Sequence, residues 1–405
     1  MKILLINHYA GSLQHGMEYR PYYLAREWVK LGHEVTIIGA SFSHLRQKNI
    51  ECARLKEEYV DGIRYLWLPT VAYQGNSVLR FRNMLEFVWQ LYKHSAFFTE
   101  LQPEVVIASS TYPLDVYPAH KLAQKTGARF VFELHDLWPL SPMELGGMSK
   151  YHPFIMLMQA AEDYWCRYVE RVISILPNTE VYLKSRGLAE GKFTCVPNGI
   201  VLSDYAHCEQ IPGQHQELMT QLHQAGKKII GYTGAHGVAN ALKTLLAAAE
   251  LLQEEQVAFV LVGQGQEKSN LQEFVRVRKI TNVYFLSSVT KSAVPTLLKQ
   301  MDFLYIGLQR QLLFQYGISP NKLMDYMMAE KPVIHSIEAG NDLVRASGCG
   351  ISVAAENPEA VAEGISQLLK LSKAECEEMG RHGRDYVVRN HDYRVLAQKF
   401  LAAIK

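Results

Sequence analysis

Short β-rich runs alternate with longer amphipathic stretches along this chain, and the alternation limits the folds that it can adopt. The series begins with a strand predicted over residues 2–8, a helix over 17–31 that stops near Gly32, and a strand over 34–39. Strands separated by helices form a parallel sheet with helices on both faces. The first part of the chain therefore predicts one doubly wound sheet. Its further predicted strands are residues 104–109, 129–134 and 171–176.

The same alternation is repeated in the second half. Apolar periodicity lapses in the polar stretch after residues 197–199, which predicts a linker and a domain boundary near 205–215. The second series has predicted strands at residues 228–233, 257–262, 282–286, 303–306 and 332–335. A chain of 405 residues that is 48% hydrophobic is large enough to form two cores. We therefore predict two facing Rossmann-like α/β domains with a deep cleft between them, where ligands often bind.

Charge and cysteine content exclude several classes of protein. The net charge of +2 lacks the positive field of a nucleic-acid-binding protein. The six cysteines include no close pair, which argues against a zinc knuckle or a disulfide framework and favours a reducing compartment such as the cytoplasm. The apolar run at residues 3–6 is too short for a signal peptide. No run approaches the roughly 18 apolar residues that a membrane-spanning helix needs.

The segment around Pro320 carries the strongest signal for ligand binding. Ser319 is a plausible helix N-cap and Pro320 suits the first helical position, so the free N–H groups that follow would form an anion site. Lys322 adds a positive charge in the same turn. Asn321 and Asp325 are four residues apart and share one face, so Asp325 could accept hydrogen bonds from ribose hydroxyls. The alternative is an ordinary capped helix with a solvated lysine and aspartate.

Two glycine-containing loops follow predicted strands. In residues 231–237, Gly234 and Gly237 could let backbone N–H groups approach phosphate oxygens beside His236. The loop lacks the Gly-Lys-Ser/Thr ending of a P-loop, which argues against an ATPase or kinase of that type. A tight turn whose glycines only supply positive φ angles is the alternative. For residues 263–265 such a bare turn is the favoured reading.

The first domain offers candidates at the carboxyl ends of two strands. A loop over residues 7–16 ends in Gly16 and is followed by Glu18 and Arg20, which would face the cleft. His135 and Asp136 follow the strand at 129–134, where α/β sheets place ligand groups. We expect His135 to lie beside a sugar hydroxyl, although a histidine at a strand end is often only structural.

Metal and nucleophile chemistry have no clear sequence signature. The histidines are too dispersed for a metal site, and neither a His-Glu-x-x-His motif nor an Asp-x-Asp pair occurs. A Gly-x-Ser-x-Gly elbow is also missing, which argues against a serine hydrolase. We therefore expect neither a metal nor another cofactor.

The order of these motifs resembles that of glycosyltransferase family 4, whose members have the GT-B fold and generally retain anomeric configuration. The matching pieces are residues 31–36 (LGHEVT), His135-Asp136, 196–200 (VPNGI), 261–265 (LVGQG), 282–286 (NVYFL) and 323–333 (LMDYMMAEKPV). The resemblance implies an acceptor-binding domain over 1–207, which includes Arg20 and Asp136, and a donor-binding domain over 208–385, which includes Gly265 and Leu286. It also implies a C-terminal helix over 386–405 that packs toward the first domain.

Within that family the chain is similar to the bacterial branch that builds O-antigen and capsule repeats, including N-acetyl-fucosamine transferases. The similarity rests on residues 317–322 (GISPNK) followed by an acidic residue, on 136–139 (DLWP), and on Tyr19-Arg20. It implies a UDP-linked, N-acetylated donor sugar and a lipid-linked or surface-glycan acceptor in lipopolysaccharide or capsule biosynthesis.

Two departures from the family pattern bear on the donor site. The usual Glu-x7-Glu pair falls at Gly317 and Asp325, so the first acid is missing. The usual Gly-Arg and later Lys fall at Gly234-Ala235 and Asn240. We expect Lys322, helix N-terminal amides and Arg20 to compensate the diphosphate charge. A nucleotide-sugar epimerase of the same architecture and a non-catalytic nucleotide-sugar-binding subunit remain alternatives.

Two segments resemble helices that dock on a membrane. Residues 80–93 and 154–168 combine apolar and aromatic residues with basic ones. Helices that face a protein core have the same pattern and are the slightly favoured reading. Peripheral attachment to the inner face of the plasma membrane is therefore left open.

Overall fold

A computed structural model describes residues 1–75, 78–206 and 208–405, and they divide into two compact units. The first unit is Met1–Asn198 with Tyr393–Lys405, and the second is Gly199–Asp392. Residue 207, where we predicted the first domain to end, lies outside the described residues, and the observed division follows Asn198. Each unit is an α/β unit built on a mainly parallel sheet, so the predicted class of two Rossmann-like α/β domains is confirmed.

The first unit contains an eight-stranded sheet in the order β3-β4-β2-β1-β5-β6-β7-β8. Its strands are β1 (Lys2–Ile6), β2 (Glu34–Ala40), β3 (Lys56–Val60), β4 (Ile63–Leu68), β5 (Val105–Ala108), β6 (Arg129–Leu134), β7 (Arg171–Ser174) and β8 (Phe193–Cys195). Only β3 runs antiparallel, in a hairpin with β4. The apolar residues of β1 are almost completely buried, as expected for a strand that helices cover on both faces.

The helices of the first unit follow the strands as the alternation predicts. They are α1 (Arg20–Lys30), α2 (Val78–Lys93), α3 (Ser95–Glu100), α4 (Val116–Thr126), α5 (Leu140–Glu144), α6 (Pro153–Tyr168) and α7 (Glu180–Ser185). The first helix begins at Arg20, three residues later than predicted, because residues 17–19 belong to a loop that bonds back on itself.

The second unit contains a six-stranded parallel sheet in the order β11-β10-β9-β12-β13-β14. The strands are β9 (Lys228–Thr233), β10 (Val257–Val262), β11 (Val283–Leu286), β12 (Phe303–Gly307), β13 (Val333–Ser336) and β14 (Gly350–Ser352). The helices are α8 (Gly213–Gln224), α9 (Leu242–Leu251), α10 (Lys268–Arg278), α11 (Val294–Lys299), α12 (Asn321–Met328), α13 (Leu343–Ser347), α14 (Pro358–Leu369) and α15 (Lys373–Asn390). Two apolar clusters fill the unit.

The last helix, α16 (Tyr393–Ile404), belongs to the first unit. It packs on α1, where Trp28 Nε1 donates a hydrogen bond of 3.1 Å to the Ala397 carbonyl and the Trp28 ring lies 5.0 Å from that of Phe400. The predicted single segment 386–405 is thus divided, since residues 386–390 complete α15. Within the described residues, no helix has both the length and the apolar character to span a bilayer.

Candidate functional site

The start of α12 and the end of β9 form a polar cluster in the second unit. Lys322 Nζ donates hydrogen bonds to the Tyr232 hydroxyl at 2.8 Å and to Asn240 Oδ1 at 3.3 Å, and it lies 4.0 Å from the centre of the Tyr232 ring. None of these partners is a carboxylate. Burial lowers the pKa of Lys322 to about 7. The ammonium is therefore held in a low-dielectric site that an anionic ligand would stabilise.

The lack of a side chain at Gly234 leaves room for Lys322. The Gly234 φ of 135° lies where side chains are rarely tolerated, and a Cβ atom there would lie 2.9 Å from Lys322 Cε. The loop at 263–265 approaches just as closely, since a Cβ on Gly263 would lie 1.9 Å from the Gly234 carbonyl oxygen and one on Gly265 2.4 Å from that of His236. The bare-turn reading of residues 263–265 is thus replaced by tight packing of two loops.

His236 belongs to the loop at 231–237 and bonds it to the loop at 263–265. Its backbone N–H donates to Gln264 O at 2.8 Å, and its carbonyl accepts from Glu267 N at 2.9 Å. Burial, followed by the charges of Lys268 and Lys322, lowers the pKa of His236 to about 4, so the ring is neutral near pH 7. Neither ring nitrogen has a hydrogen-bond partner among the residues that the structure describes.

The other donor-side candidates at strand ends are backbone positions. Gly237 is extended, with φ −109° and ψ 160°, and its carbonyl accepts from Asn240 N at 3.1 Å. The Leu286 carbonyl accepts a hydrogen bond of 2.9 Å from Lys268 Nζ. Lys268, which the sequence analysis did not single out, also bonds the Gly263 carbonyl at 2.8 Å and so links the ends of β10 and β11.

The first turn of α12 differs from the prediction at its cap. The N-cap is Pro320 rather than Ser319, because Pro320 is extended (φ −75°, ψ 119°) and the helix begins at Asn321. Proline has no side-chain acceptor and forms no cap hydrogen bond here, and the Leu323 N–H donates to the Pro320 carbonyl at 3.1 Å. The N–H groups of Asn321 and Lys322 precede the first turn's own hydrogen bonds, and N–H groups at such a position can bind anions.

Asp325 bonds a residue outside the lysine cluster. Its Oδ1 accepts a hydrogen bond from the hydroxyl of Tyr205, on a 3-10 helical turn that precedes α8. Burial raises the pKa of the Asp325 carboxyl. The structure therefore brings Lys322, Gly234 and the start of α12 together, whereas one oxygen of the predicted ribose acceptor is already bonded.

His135, in the first unit, is held by two groups that the sequence analysis missed. Its Nε2 lies 3.0 Å from Ser109 Oγ and 3.2 Å from Glu133 Oε2. The Ser109 hydroxyl donates its own hydrogen to Glu133 at 2.6 Å, so Nε2 must carry the proton that both oxygens accept. Nδ1 takes no part in these contacts, and it is the ring atom that can bind a ligand hydroxyl.

Arg20 forms a buried ion pair rather than an open acceptor contact. Its Nε donates to Glu133 Oε1 at 2.9 Å, and its Nη atoms donate to the carbonyls of Val196 and Pro197, both at 2.7 Å. The residue is 1% exposed. Burial raises the pKa of Glu133, but Arg20 and His135 outweigh it and hold that pKa at about 2. This placement removes the guanidinium from the groups available to a diphosphate.

Asp136 likewise forms its hydrogen bonds within its own turn. Its Oδ1 accepts hydrogen bonds from Leu137 N at 2.9 Å and from the Ser141 hydroxyl, and its Oδ2 lies 3.3 Å from Trp138 Nε1. These partners fix the start of α5, so Asp136 has a positioning role there, and its predicted acceptor-side role stays a prediction.

Gly16 and Glu18 belong to a loop that folds back after β1. Gly16 has φ 97°, and its N–H donates to the Ser12 carbonyl at 2.8 Å, while the Glu18 carbonyl accepts from Gly11 N at 2.9 Å. The sequence analysis did not single out Arg46, which also contacts this loop. Arg46 is 6% exposed, and its Nε donates to the Ala10 carbonyl at 2.8 Å.

In residues 1–75, 78–206 and 208–405 there is no group of three His, Cys, Asp or Glu that could hold a metal ion.

Comparison with known proteins identifies both units. The model described as Glycosyltransferase Family 4 matches residues 15–204, and the model described as Glycosyl transferases group 1 matches residues 227–371. The putative colanic acid biosynthesis glycosyl transferase WcaI of Escherichia coli is 26% identical over 291 residues, which cover 70% of this chain and 69% of WcaI. The probable glycosyltransferase WbjE of Pseudomonas aeruginosa is 20% identical over 310 residues, 74% of each chain.

Solved structures share the fold. The Anabaena protein HepE, determined in complex with UDP and glucose, superposes with a TM-score of 0.67 at 14% identity. The superposition covers 100% of this chain and 99% of HepE.

Proposed function

We propose that this chain, which belongs to glycosyltransferase family 4, moves an N-acetylated sugar from a UDP-linked donor to a lipid-linked or glycan acceptor of a bacterial surface polysaccharide. The name of WcaI assigns that relative to colanic acid biosynthesis, and the HepE crystals contain UDP and glucose. The observation that carries the proposal is the partly buried Lys322 ammonium at the start of α12, which forms no ion pair with a carboxylate among the residues that the structure describes.

The position of Lys322 also accounts for a departure from the family pattern. The lysine that the family usually places after the glycine loop falls at Asn240, and Asn240 Oδ1 lies 3.3 Å from Lys322 Nζ. An ammonium is thus supplied to the same spot from α12 instead of from the loop. This relocation supports a diphosphate site made of Lys322, the N–H groups of α12 and the loop at Gly234.

The proposed reaction retains anomeric configuration and uses no metal. The bond between the sugar C1 and the diphosphate oxygen breaks while Lys322 and the helix N–H groups stabilise the charge on the leaving UDP. The acceptor hydroxyl attacks the same face of C1, and its proton passes to the leaving phosphate oxygen. His135, held through Nε2, binds a hydroxyl of the donor sugar with Nδ1.

Ligand-induced stabilisation tests the donor class. We expect UDP-sugars to raise the unfolding temperature and the matching GDP- and TDP-sugars to leave it nearly unchanged, because a ligand stabilises only the state that binds it. A panel of these compounds in a thermal-shift assay gives the ranking. Product analysis with the best donor then separates transfer, epimerisation and simple binding. Equal shifts for all three nucleotides, or none for UDP-sugars, contradict the proposal.

Donor affinity should depend on pH through Lys322. With a pKa of about 7 in the free protein, Lys322 is an ammonium below pH 7, so the affinity for a UDP-sugar should not change with pH in that range. Above pH 7 the group must be protonated on binding, and the affinity for a UDP-sugar should fall about tenfold per pH unit. Isothermal titration in buffers of different ionisation enthalpy measures both the fall and the proton uptake. The variant Lys322→Arg should remove the fall, because arginine stays charged; a wild-type profile that is flat at alkaline pH contradicts this role.

A lipid-linked acceptor places the reaction at a membrane. We therefore also propose that the protein acts in the cytoplasm and attaches peripherally to the inner face of the plasma membrane.

A further inference from the structure

The solvent-facing side of α2 is unusually apolar. Its inward face packs Met84, Phe87 and Leu91 in the core, as a helix that packs on a sheet requires. Its outward face carries large apolar side chains at helical spacing. These are Val78 (84% exposed), Leu85 (43%), Trp89 (57%) and Tyr92 (42%). Folding of the unit does not require this second apolar face, which indicates a partner.

The apolar face continues onto the neighbouring helix α6. The rings of Phe81 and Phe154 lie 5.5 Å apart and connect the starts of the two helices. On α6, Met156 is 57% exposed and Leu157 38%. We call the exposed apolar residues of α2 and α6 the outer face.

Basic residues border the outer face. Lys93 Nζ lies 4.9 Å from the Trp89 ring centre, and Lys121 Nζ, on α4, lies 5.7 Å from that of Tyr92. The one acidic residue of α2, Glu86, pairs with Arg82 at 2.8 Å, and α4 has no acidic residue. On α6, Glu162 is buried and Asp163 pairs with Arg186. The border is therefore positive.

We propose that the outer face docks on an anionic lipid bilayer, with Trp89 and Leu85 in the headgroup and acyl boundary and with Lys93 and Lys121 on the lipid phosphates. Aromatic rings flanked by lysines match the layered polarity of a membrane interface. A second copy of this chain is a poorer occupant, because a symmetric contact would bring the same lysines face to face. This inference rests on the proposed function only for its biological setting, since lipid binding is measured without sugar transfer.

Trp89 provides the probe. Of the five tryptophans, Trp28 and Trp67 are 0% exposed and Trp165 is 1% exposed, and Trp138 is partly buried. Vesicles of phosphatidylglycerol and phosphatidylcholine should bind the protein in co-sedimentation and shift its emission to the blue. Vesicles of phosphatidylcholine alone should bind much less protein and cause a much smaller blue shift. Trp89→Phe should abolish the blue shift while most of the binding persists.

Charge changes on the outer face should weaken vesicle binding without unfolding the protein. Lys93→Gln and Lys121→Gln should each lower the partition coefficient about fivefold. The double variant Leu85→Glu/Trp89→Glu should lower it by at least about tenfold. The control Val277→Glu, at a 63% exposed position of α10, should bind as wild type does.

Three outcomes overturn the proposal. They are no binding of the wild type to the anionic vesicles, unchanged binding by Leu85→Glu/Trp89→Glu, and a wild-type dimer in light scattering that this variant dissociates. The thermal shift with UDP-sugars, measured on the same variants, keeps a failure here distinct from a failure of the proposed function. We expect that shift to be unchanged.

Discussion

Replacing Lys322 with alanine should lower kcat by about two to three orders of magnitude while the second unit stays folded. The ammonium is proposed to stabilise the charge that develops on the leaving diphosphate, and loss of one such donor typically costs about 3–4 kcal/mol of transition-state stabilisation. Folding should tolerate the change, because burial already disfavours the charged lysine and lowers its pKa to about 7. Initial rates with the donor found in the nucleotide-sugar panel measure the effect, and circular dichroism checks the fold.

A matched lysine separates this role from a general effect of charge. Lys243 is exposed at the start of α9, and we expect Lys243→Ala to keep wild-type kcat and KM. A loss confined to KM for Lys322→Ala would assign the residue to donor binding alone. Near-normal kcat and KM in that variant would remove Lys322 from the mechanism.

The sequence was sufficient to single out Lys322, Gly234 and the start of α12, which the structure brings together, but not to describe their contacts. The helix start at Pro320 and the glycine at 234 are local signals, since proline and glycine restrict the backbone wherever they stand. The contacts of Lys322 with Tyr232 and Asn240 join parts of the chain 90 and 82 residues apart. Only the packing of α12 against the end of β9 creates them, so no local pattern could reveal them.

For the acceptor-side candidates, position near a strand end did not predict the hydrogen-bond partners. Asp136 and Arg20 follow or face strand ends, where ligand groups often lie, but their polar atoms bond within the first unit. For Asp136 a local signal was present, because an aspartate close before a serine and a helix start often bonds nearby backbone and hydroxyl groups. For Arg20 the partner Glu133 is 113 residues away and had no local signal.

One strand pair was missed although its turn has a clear signature. Asp61 and Gly62 join β3 to β4 with φ angles of 51° and 79°. An Asp-Gly pair between two β-rich runs favours a two-residue hairpin, because both positions need positive φ angles. Most of the two sheets could be predicted because their strands are almost wholly apolar, whereas β3 is charged and lies at an edge.

Breaking the buried ion pair between Arg20 and Glu133 should cause the largest loss of stability in the first unit. Both side chains are at most 1% exposed, and removal of one partner leaves the other charge buried and unpaired. We expect Glu133→Gln or Arg20→Leu alone to lower the free energy of unfolding by about 3–5 kcal/mol. Urea unfolding followed by circular dichroism measures the midpoint. The exposed pair Arg64–Glu57 is the matched control, and Glu57→Gln should shift the midpoint little.

The double variant and the dependence of stability on pH decide whether the unpaired charge causes the loss of stability. Arg20→Leu/Glu133→Gln removes both charges and should recover much of the loss, whereas additive losses would mean that shape and hydrogen bonds dominate. The pKa of Glu133 is held at about 2 in the folded chain, below its usual 4.5, so its contribution is complete above pH 4.5 and is lost as the pH falls toward 2. Wild-type stability should therefore decline in that acidic range more steeply than that of the double variant. Parallel declines would show that Glu133 titrates alike in the folded and unfolded chains, and the ion pair would then contribute nothing to the acid stability of the unit.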